Sequence, residues 1–204
     1  MFRASEVSPR MFESDFIDFF SRTHWLAVPT LWLPVVAASM VYGYTQGAGA
    51  ALLAGGLFGG FIFWTLTEYS LHRTFFHWEP NTWWGPKLHF LVHGVHHVYH
   101  KDPYRLVMPP AVSLGVGLTA LGLFSVVGLV LSPWVAFTWV WPFFAGFVLG
   151  YVNYDCTHYI LHHWKPRSEW MKRLRSHHLQ HHHNHPDRKF GVSFMFWDRV
   201  FGTL

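Results

Sequence analysis

The chain has 204 residues, of which 51% are apolar and 20% aromatic but only 13% charged, with a formal net charge of +4. A soluble domain carries about twice that charged fraction, so the composition argues against an ordinary soluble protein and favours one whose surface lies largely in lipid. The single cysteine, Cys156, excludes an internal disulfide. We expect no cleavable signal peptide, because the first apolar run follows Asp15, Asp18 and Arg22 and is too long for one.

Four segments have the apolar character of membrane-spanning helices, which need about 20 residues each. They cover residues 25–44, 48–67, 111–131 and 134–151. Short turns join the first segment to the second and the third to the fourth, so the pattern predicts two helical hairpins in one all-α integral membrane domain covering residues 1–204. Core helices of a soluble α protein are the alternative, but the lengths and the lack of charge favour membrane spans.

The basic residues predict how these spans are oriented. With four spans, the N-terminus, residues 68–108 and residues 152–204 lie on one side of the membrane, and every lysine and arginine falls in these three regions. Positively charged loops favour the cytoplasmic side. All histidines except His24 lie in residues 68–108 and 152–204, so we expect a histidine-rich helical cap on the cytoplasmic side.

The histidines form a weak internal repeat. The first hairpin is followed by His72, His77, His93, His96 and His97, and the second by His158, His162, His178, His181 and His182. Residues three and four apart share a helix face, whereas adjacent residues diverge by about 100°. We therefore expect the adjacent pair in each triplet to serve two neighbouring metals. The five-residue spacing of His72 and His77 is typical of a helix end rather than a helix interior.

Ten histidines suit two metals with four or five imidazoles each, which leaves a position for oxygen or water. Imidazole binds iron, zinc, copper or nickel, so the ligand type does not select the metal. Glu68, one turn before His72, and Asp155, three residues before His158, could each hold the distal N–H of a ligand. Solvation of a polar surface explains a lone histidine, but four ordered motifs on one membrane face argue for a dinuclear metal site.

The remaining histidines carry less information. We expect them to surround the ligands, to lie at the surface or to face the substrate, and we place two of them, His89 and His177, next to the ligands. The others of this kind are His100, His163, His183 and His185, and we expect His24 to lie at the membrane interface. No pattern in the sequence identifies the substrate-binding residues.

The ordered motifs resemble those of the fatty acid hydroxylase/sterol desaturase superfamily. They read His72-x4-His77, His93-x2-His96-His97, His158-x3-His162 and His178-x2-His181-His182. The flanking residues are more similar to the fatty acid 2-hydroxylases, as in Glu68-Tyr69, Tyr154-Asp155-x-Thr157-His158-Tyr159 and Phe190-Gly191-Val192-Ser193 with Trp197-Asp198. The resemblance covers residues 68–204, while the first hairpin agrees only in hydropathy.

The resemblance implies an O2-dependent non-haem di-iron monooxygenase that hydroxylates carbon 2 of a long-chain fatty acid or of a ceramide acyl group. It implies two iron ions, with zinc possible after purification. Many relatives carry an N-terminal cytochrome b5 domain, and nothing before Trp25 could form one, so we expect electrons from a separate protein. The expected partners are thus a lipid substrate, this electron-transfer protein and the membrane, with no nucleic acid. The lack of a fused domain also favours a bacterial inner membrane over the endoplasmic reticulum.

Two other functions remain open from the sequence. A sterol or carotenoid hydroxylase or desaturase of the same superfamily would use the same ligands with a different pocket. A non-catalytic membrane metal-binding or transport protein would also hold metal, but transporter sites usually lie near the bilayer midplane. The middles of all four predicted spans lack histidine and acidic residues, so the catalytic interpretation is favoured.

Two further features could contact a lipid. Gly55, Gly56, Gly59 and Gly60 could leave room for an acyl tail, although close helix packing is the more common role of such glycines. Basic residues of the cap, such as Arg73, Lys101 and Arg105, could meet a headgroup, although positive-inside placement accounts for most of them.

Overall fold

The computed structural model describes Ser8 and residues 10–204, and over these residues the chain is all-helical, as predicted. The α-helices are α1 (Asp15–Phe20), α2 (Ala27–Thr45), α3 (Ala50–Ser70), α4 (Gly85–His89), α5 (Val95–Val98), α6 (Pro110–Leu131), α7 (Val140–His163), α8 (Glu169–His183) and α9 (Phe196–Val200). Two π-helices, Leu71–Phe76 and Phe90–Gly94, and a 3-10 turn, Phe137–Trp139, complete the described helical segments.

The chain divides into two compact units. The first comprises residues 1–25, 66–107 and 154–204, and the second comprises residues 26–65 and 108–153. The first unit therefore contains nearly all of the predicted cap. It also contains His24 and the other sixteen histidines. The second unit contains most of the apolar sequence.

Three helices are long and apolar enough to cross a membrane: Ala27–Thr45, Ala50–Phe76 and Pro110–Leu131. They correspond to the first three predicted spans. The fourth predicted span, 134–151, differs from the structure because residues 132–135 form a turn and α7 begins only at Val140. The second half of α7 carries Asn153, Asp155 and histidines, which interrupt its apolar character. Three candidate spans are thus established, and a fourth stays a prediction.

Glycines in the second unit allow α3 and α7 to pack backbone against backbone. A Cβ at Gly60 would overlap the carbonyl oxygen of Phe143, and one at Gly146 would overlap the carbonyl oxygen of Leu57. A Cβ at Gly56 would lie 2.8 Å from the Pro142 ring, whereas one at Gly55 would meet nothing within 4 Å. Close packing is therefore the role of Gly56 and Gly60, and these glycines do not leave room for an acyl tail.

A buried ion-pair cluster anchors the N-terminal helix in the first unit. Arg105, whose side chain is 2% exposed, has Nη2 3.1 Å from Asp18 Oδ1 and Nε 3.8 Å from Asp102 Oδ2. Its Nη1 donates a hydrogen bond to Ser21 Oγ at 2.8 Å. These contacts bury the guanidinium among carboxylates, so the suggestion that Arg105 meets a lipid headgroup is wrong.

Candidate metal centre

The ten histidines of the repeat converge within the first unit from five helical segments. The π-helix Leu71–Phe76 and the residue after it provide two, the π-helix Phe90–Gly94 provides one, and α5, α7 and α8 provide two, two and three. Their rings lie side by side, as in the pair His97 and His182, whose ring centroids are 4.2 Å apart.

A π-helix accounts for the spacing of His72 and His77. The wider turn of a π-helix pairs residues five apart, whereas an α-helix pairs residues four apart. His158 and His162, their counterparts in the repeat, are four apart on the α-helix α7. The π-helix Leu71–Phe76 thus accommodates one additional residue, and it directs both histidines toward the same group of rings. The sequence expectation of a helix end is met, but the π-helical geometry was not foreseen.

The ten side chains form two groups of five. In each group, one ring nitrogen from every histidine lies within 4.8 Å of all the others. The first histidine group is His72, His77, His93, His97 and His181, and the second histidine group is His96, His158, His162, His178 and His182. The adjacent pairs in the two triplets are each divided between the groups, as expected from their divergence on a helix.

The two groups are counterparts under the internal repeat. The first histidine group takes four members from the first half of the repeat and His181 from the second half. The second histidine group takes four members from the second half and His96 from the first half. His96 and His181 occupy equivalent positions in their triplets, so the halves exchange one histidine each. Neither half can therefore assemble a complete group by itself.

The nitrogens within each group are spaced like ligands of a common ion. The Nε2–Nε2 distances are 3.1 Å (His72–His93), 2.8 Å (His93–His97) and 3.1 Å (His77–His181) in the first histidine group, and 2.7 Å (His162–His178), 3.0 Å (His96–His182) and 3.1 Å (His178–His182) in the second. Two nitrogens that bind one metal at right angles, each about 2.1 Å from it, are about 3 Å apart. The spacing therefore fits imidazoles that share a metal.

Backbone carbonyls set the tautomers of two members of the first histidine group. Nδ1 of His72 lies 2.6 Å from the carbonyl oxygen of Phe190, and Nδ1 of His181 lies 2.6 Å from that of Arg188. A carbonyl oxygen only accepts, so Nδ1 carries the hydrogen and donates it in both cases. Each Nε2 of these neutral rings then keeps a free lone pair, the form in which imidazole binds a metal.

Burial keeps the rings neutral. Together with a smaller effect of the neighbouring histidines, it lowers the pKa of His97 from 6.5 to about 2 and that of His77 from 6.5 to about 4. Burial and neighbouring histidines also hold the pKa of His93, His96 and His178 well below the usual value. All five are therefore unprotonated at neutral pH, as metal ligands must be.

Several buried ring nitrogens have no hydrogen-bond partner among the residues that the structure describes. They are Nε2 of His163, both nitrogens of His158 and the Nδ1 atoms of His178 and His182. An unsatisfied buried polar atom costs about 1–3 kcal/mol. A metal bound by the second histidine group would satisfy one nitrogen of His158, so these residues fit a metal centre.

The four residues that the sequence placed around the ligands have varied contacts. His177 is buried, with Nε2 3.0 Å from Asp198 Oδ2. His89 is partly exposed and has Nδ1 3.8 Å from Glu79 Oε2. Asp155 is buried on α7, but both nitrogens of His158 are unpartnered among the described residues, so the suggested bond between the two is not formed.

Glu68 has a different role from the one suggested by the sequence. Its Oε1 accepts hydrogen bonds from the backbone N–H groups of Val192 (2.9 Å) and Ser193 (2.8 Å). The N–H of His72, the ligand one turn after Glu68, is donated to the carbonyl of Phe190 instead. Glu68 therefore positions the chain segment that supports His72 and does not contact the ring by a hydrogen bond.

Asp198 is a support of the centre that the sequence did not single out as a site residue. Its carboxylate, which is fully buried, accepts hydrogen bonds from the backbone N–H groups of Phe190 and Gly191, both at 2.8 Å, and from Thr203 Oγ1 at 2.8 Å. These bonds hold the carbonyl of Phe190 in place. In the sequence, only the flanking Trp197-Asp198 pair pointed to this residue. A supporting backbone carbonyl such as that of Arg188 cannot be recognised from a residue type, because every residue has one.

Comparisons with known proteins agree with this geometry. The model of the fatty acid hydroxylase family matches residues 57–203. The chain is 40% identical over 197 residues to a dihydroceramide fatty acyl 2-hydroxylase of Arabidopsis thaliana, covering 96% of this chain and 80% of the relative. It is 34% identical to a fatty acid 2-hydroxylase of Mus musculus, covering 96% of this chain and 56% of the relative. A solved structure of full-length scs7p, with only the hydroxylase domain visible, matches with a TM-score of 0.83 and 36% identity over 93% of this chain and 69% of that chain.

The relatives correct one expectation about location. They come from a plant, two yeasts and mammals, all of which are eukaryotes. The expectation of a bacterial inner membrane is therefore wrong. The integral membrane assignment is supported, in line with the three long apolar helices.

Proposed function

Because this chain belongs to the fatty acid hydroxylase family, we propose that it hydroxylates carbon 2 of a long-chain fatty acid or of a ceramide acyl group. The observation that carries the proposal is the pair of five-histidine groups, each with its ring nitrogens within 4.8 Å of one another. A dinuclear site of this kind suits O2-dependent oxidation of a C–H bond in an acyl chain. The relatives from Arabidopsis thaliana and Mus musculus are 2-hydroxylases of acyl chains by name, which supports this choice over sterols or carotenoids.

Two iron ions are the proposed metals, one held by each histidine group. They would supply the activation of dioxygen, and zinc could take their place in purified protein because imidazole binds both. Each ion would be held by the five imidazoles of its group. The overall reaction combines the substrate C–H bond, O2, two electrons and two protons to form a C–OH group and water, with the electrons supplied by a separate donor.

The residues of the chain orient and shield this centre. The carbonyls of Phe190 and Arg188 fix the ring orientation of His72 and His181. His178 and His181 are fully buried, so bulk water is excluded from this part of the site. Asp198 and Glu68 keep the segment 190–193 in place through hydrogen bonds to its backbone. Their role is to hold the ligands in position rather than to react.

The proposed topology follows from the charge distribution. The three candidate spans and a fourth formed by the apolar first half of α7 would return the chain to its starting side. All lysines and arginines lie outside the turns of the two predicted hairpins, so we place residues 68–108 and 152–204 on the cytoplasmic side. Residues 1–204 would then form a single membrane domain.

The test is expression in a yeast strain that lacks endogenous 2-hydroxylation, followed by mass spectrometry of hydrolysed sphingolipids. We expect 2-hydroxy fatty acids from the wild type and none from a His178→Ala/His181→Ala double variant. His185→Ala, which changes an exposed histidine, is the matched control and should retain the product. Equal lipid profiles for wild type and double variant, at equal expression, would refute acyl 2-hydroxylation. Oxidised sterol under the same conditions would instead support the sterol oxidase.

A further inference from the structure

A basic groove lies along the exposed side of α8, and the proposed reaction does not use it. Lys165, Lys172 and Arg175 line it together with polar groups that include Gln180 and His183, and it encloses about 470 Å³. The segment from residue 165 to residue 175 contains five basic residues and a single acidic one, Glu169. The groove therefore carries a concentrated positive charge.

The acidic residue of this segment does not neutralise the groove. Glu169 Oε1 lies 2.7 Å from Lys172 Nζ, but the two side chains are 75% and 52% exposed. A surface ion pair of this kind contributes little and exchanges readily with another anion. Arg175 is held in place, because its Nε donates a hydrogen bond to the carbonyl of Leu161 at 2.8 Å. Lys165 and Lys172 can form new ion pairs with the carboxylates of a bound protein, next to the guanidinium of Arg175, whose position is fixed. This arrangement suits an acidic protein surface.

A chain of histidine rings connects this groove to the metal centre. His183, which lines the groove, has its ring centroid 6.4 Å from that of His182 and 5.1 Å from that of His100. The His100 ring in turn lies 6.1 Å from His182 and 6.2 Å from His162. His182 and His162 belong to the second histidine group, whereas His183 and His100 belong to neither group. Two short ring-to-ring routes thus lead from the groove to the same group.

We propose that this groove is the docking site of a small one-electron carrier protein with an acidic face, and that electrons pass from it through His183 and His100 to the second histidine group. The inference rests on the proposed function, which needs two electrons per turnover. Two carriers are each oxidised by one electron, O2 is reduced, one of its oxygen atoms enters the substrate C–H bond, and the other leaves as water with two protons. An acidic partner fits because opposite charges steer association and set its orientation.

The rings favour a redox protein over an anionic lipid. A lipid phosphate could also bind Lys165 and Lys172. Because it donates no electrons, however, it would not account for the histidine rings that lead from the groove to the metal centre. A lipid is therefore the alternative outcome of the test and not the proposal.

The experiment compares two ways of supplying electrons to the purified, iron-loaded full chain. Soluble cytochrome b5 with its reductase serves as the acidic protein donor, and anaerobic reduction by dithionite followed by mixing with O2 gives a single turnover without a docking step. The variant Lys165→Glu/Lys172→Glu reverses the charge of two lysines that line the groove. Lys87→Glu/Arg199→Glu makes the same change of charge at other exposed positions and is the matched control.

We expect the groove variant to lose about tenfold or more of the rate with the protein donor at low ionic strength, within the range of electrostatic steering. Its single-turnover yield and the rate of the control variant should stay at wild-type values. The wild-type rate with cytochrome b5 should fall as salt is added, because the steering charges are screened. A second variant, His183→Leu, should lower kcat with little effect on the KM for cytochrome b5, whereas the charge reversal should raise that KM.

The outcomes separate the two proposals. A wild type that makes no 2-hydroxy product in the single turnover contradicts the proposed function. Normal single turnovers with an undiminished protein-driven rate in the groove variant overturn the docking site. The docking site is also overturned if the groove variant loses binding to phosphatidylserine nanodiscs while its rate with cytochrome b5 matches that of the control variant, because the groove would then hold lipid.

Discussion

The Nδ1 atom of His72 lies 2.6 Å from the carbonyl oxygen of Phe190, although 118 residues separate them in the chain. Glu68 in turn holds the segment after Phe190, because its Oε1 accepts hydrogen bonds from the backbone N–H groups of Val192 and Ser193. The C-terminal region is therefore part of the metal centre, even though it supplies no ligand after His182.

Asp198 offers a direct test of this support. Asp198→Asn keeps the shape of the side chain but replaces one acceptor oxygen by an NH2 group, which faces N–H donors. Hydrogen bonds to a charged group contribute about 1.5–3 kcal/mol each, so we expect a lower Tm and a loss of bound metal. Thermal unfolding and elemental analysis in detergent would measure both. Asp187→Asn, at an exposed position, should change neither; unchanged metal content in Asp198→Asn would show that the support is dispensable.

The exchange of histidines between the two halves predicts how metal is lost. His181→Ala removes a ligand from the first histidine group only, and His96→Ala removes one from the second only. Each variant should therefore fall from about two metal ions per chain to about one, because loss of a ligand or its support lowers affinity by about tenfold to a hundredfold or more. Metal analysis after dialysis against a weak chelator measures this, with His185→Ala as the control. Loss of both ions from either single variant would indicate one shared site.

Close packing of α3 and α7 predicts opposite results for two neighbouring glycines. Gly60→Ala would place a methyl group against the carbonyl of Phe143, and we expect a loss of about 2 kcal/mol or more of stability. Gly55→Ala meets open space and should be neutral or gain up to about 1 kcal/mol from helix propensity. Thermal unfolding of both variants in the same detergent gives the comparison. Equal Tm values would show that the helices are further apart than described.

The lowered pKa values predict acid sensitivity of the metal-depleted protein. In the unfolded chain His97 and His77 titrate near 6.5, whereas in the folded chain burial lowers their pKa to about 2 and about 4. At a pH between the folded and the unfolded pKa of a histidine, the unfolded state therefore binds more protons than the folded state. The free energy of unfolding is at its full value above about pH 6.5 and falls as the pH decreases. Each such histidine contributes a slope of about 1.4 kcal/mol per pH unit.

Thermal unfolding between pH 8 and pH 5 measures this slope. His97→Gln should flatten it, and His185→Gln should leave it unchanged. A Tm that rises on acidification would contradict the buried, neutral state of the rings.

Much of the centre follows from the sequence itself. The order and spacing of the ten histidines indicated two metals, because residues three and four apart share a helix face and adjacent residues diverge. The apolar runs indicated three of the helices with membrane-spanning length, since such runs are a local property of the chain. The charge pattern indicated a preferred orientation, which stays a prediction.

Tertiary structure decided the features that depend on contacts between distant residues. The division of the histidines into two groups is one of them, because the exchange of His96 and His181 arises only when the two halves pack together. The carbonyls of Phe190 and Arg188 are another, since every residue has a carbonyl and only its position makes it a support. Spacing along a chain specifies faces of helices, whereas the meeting of those faces is determined by packing.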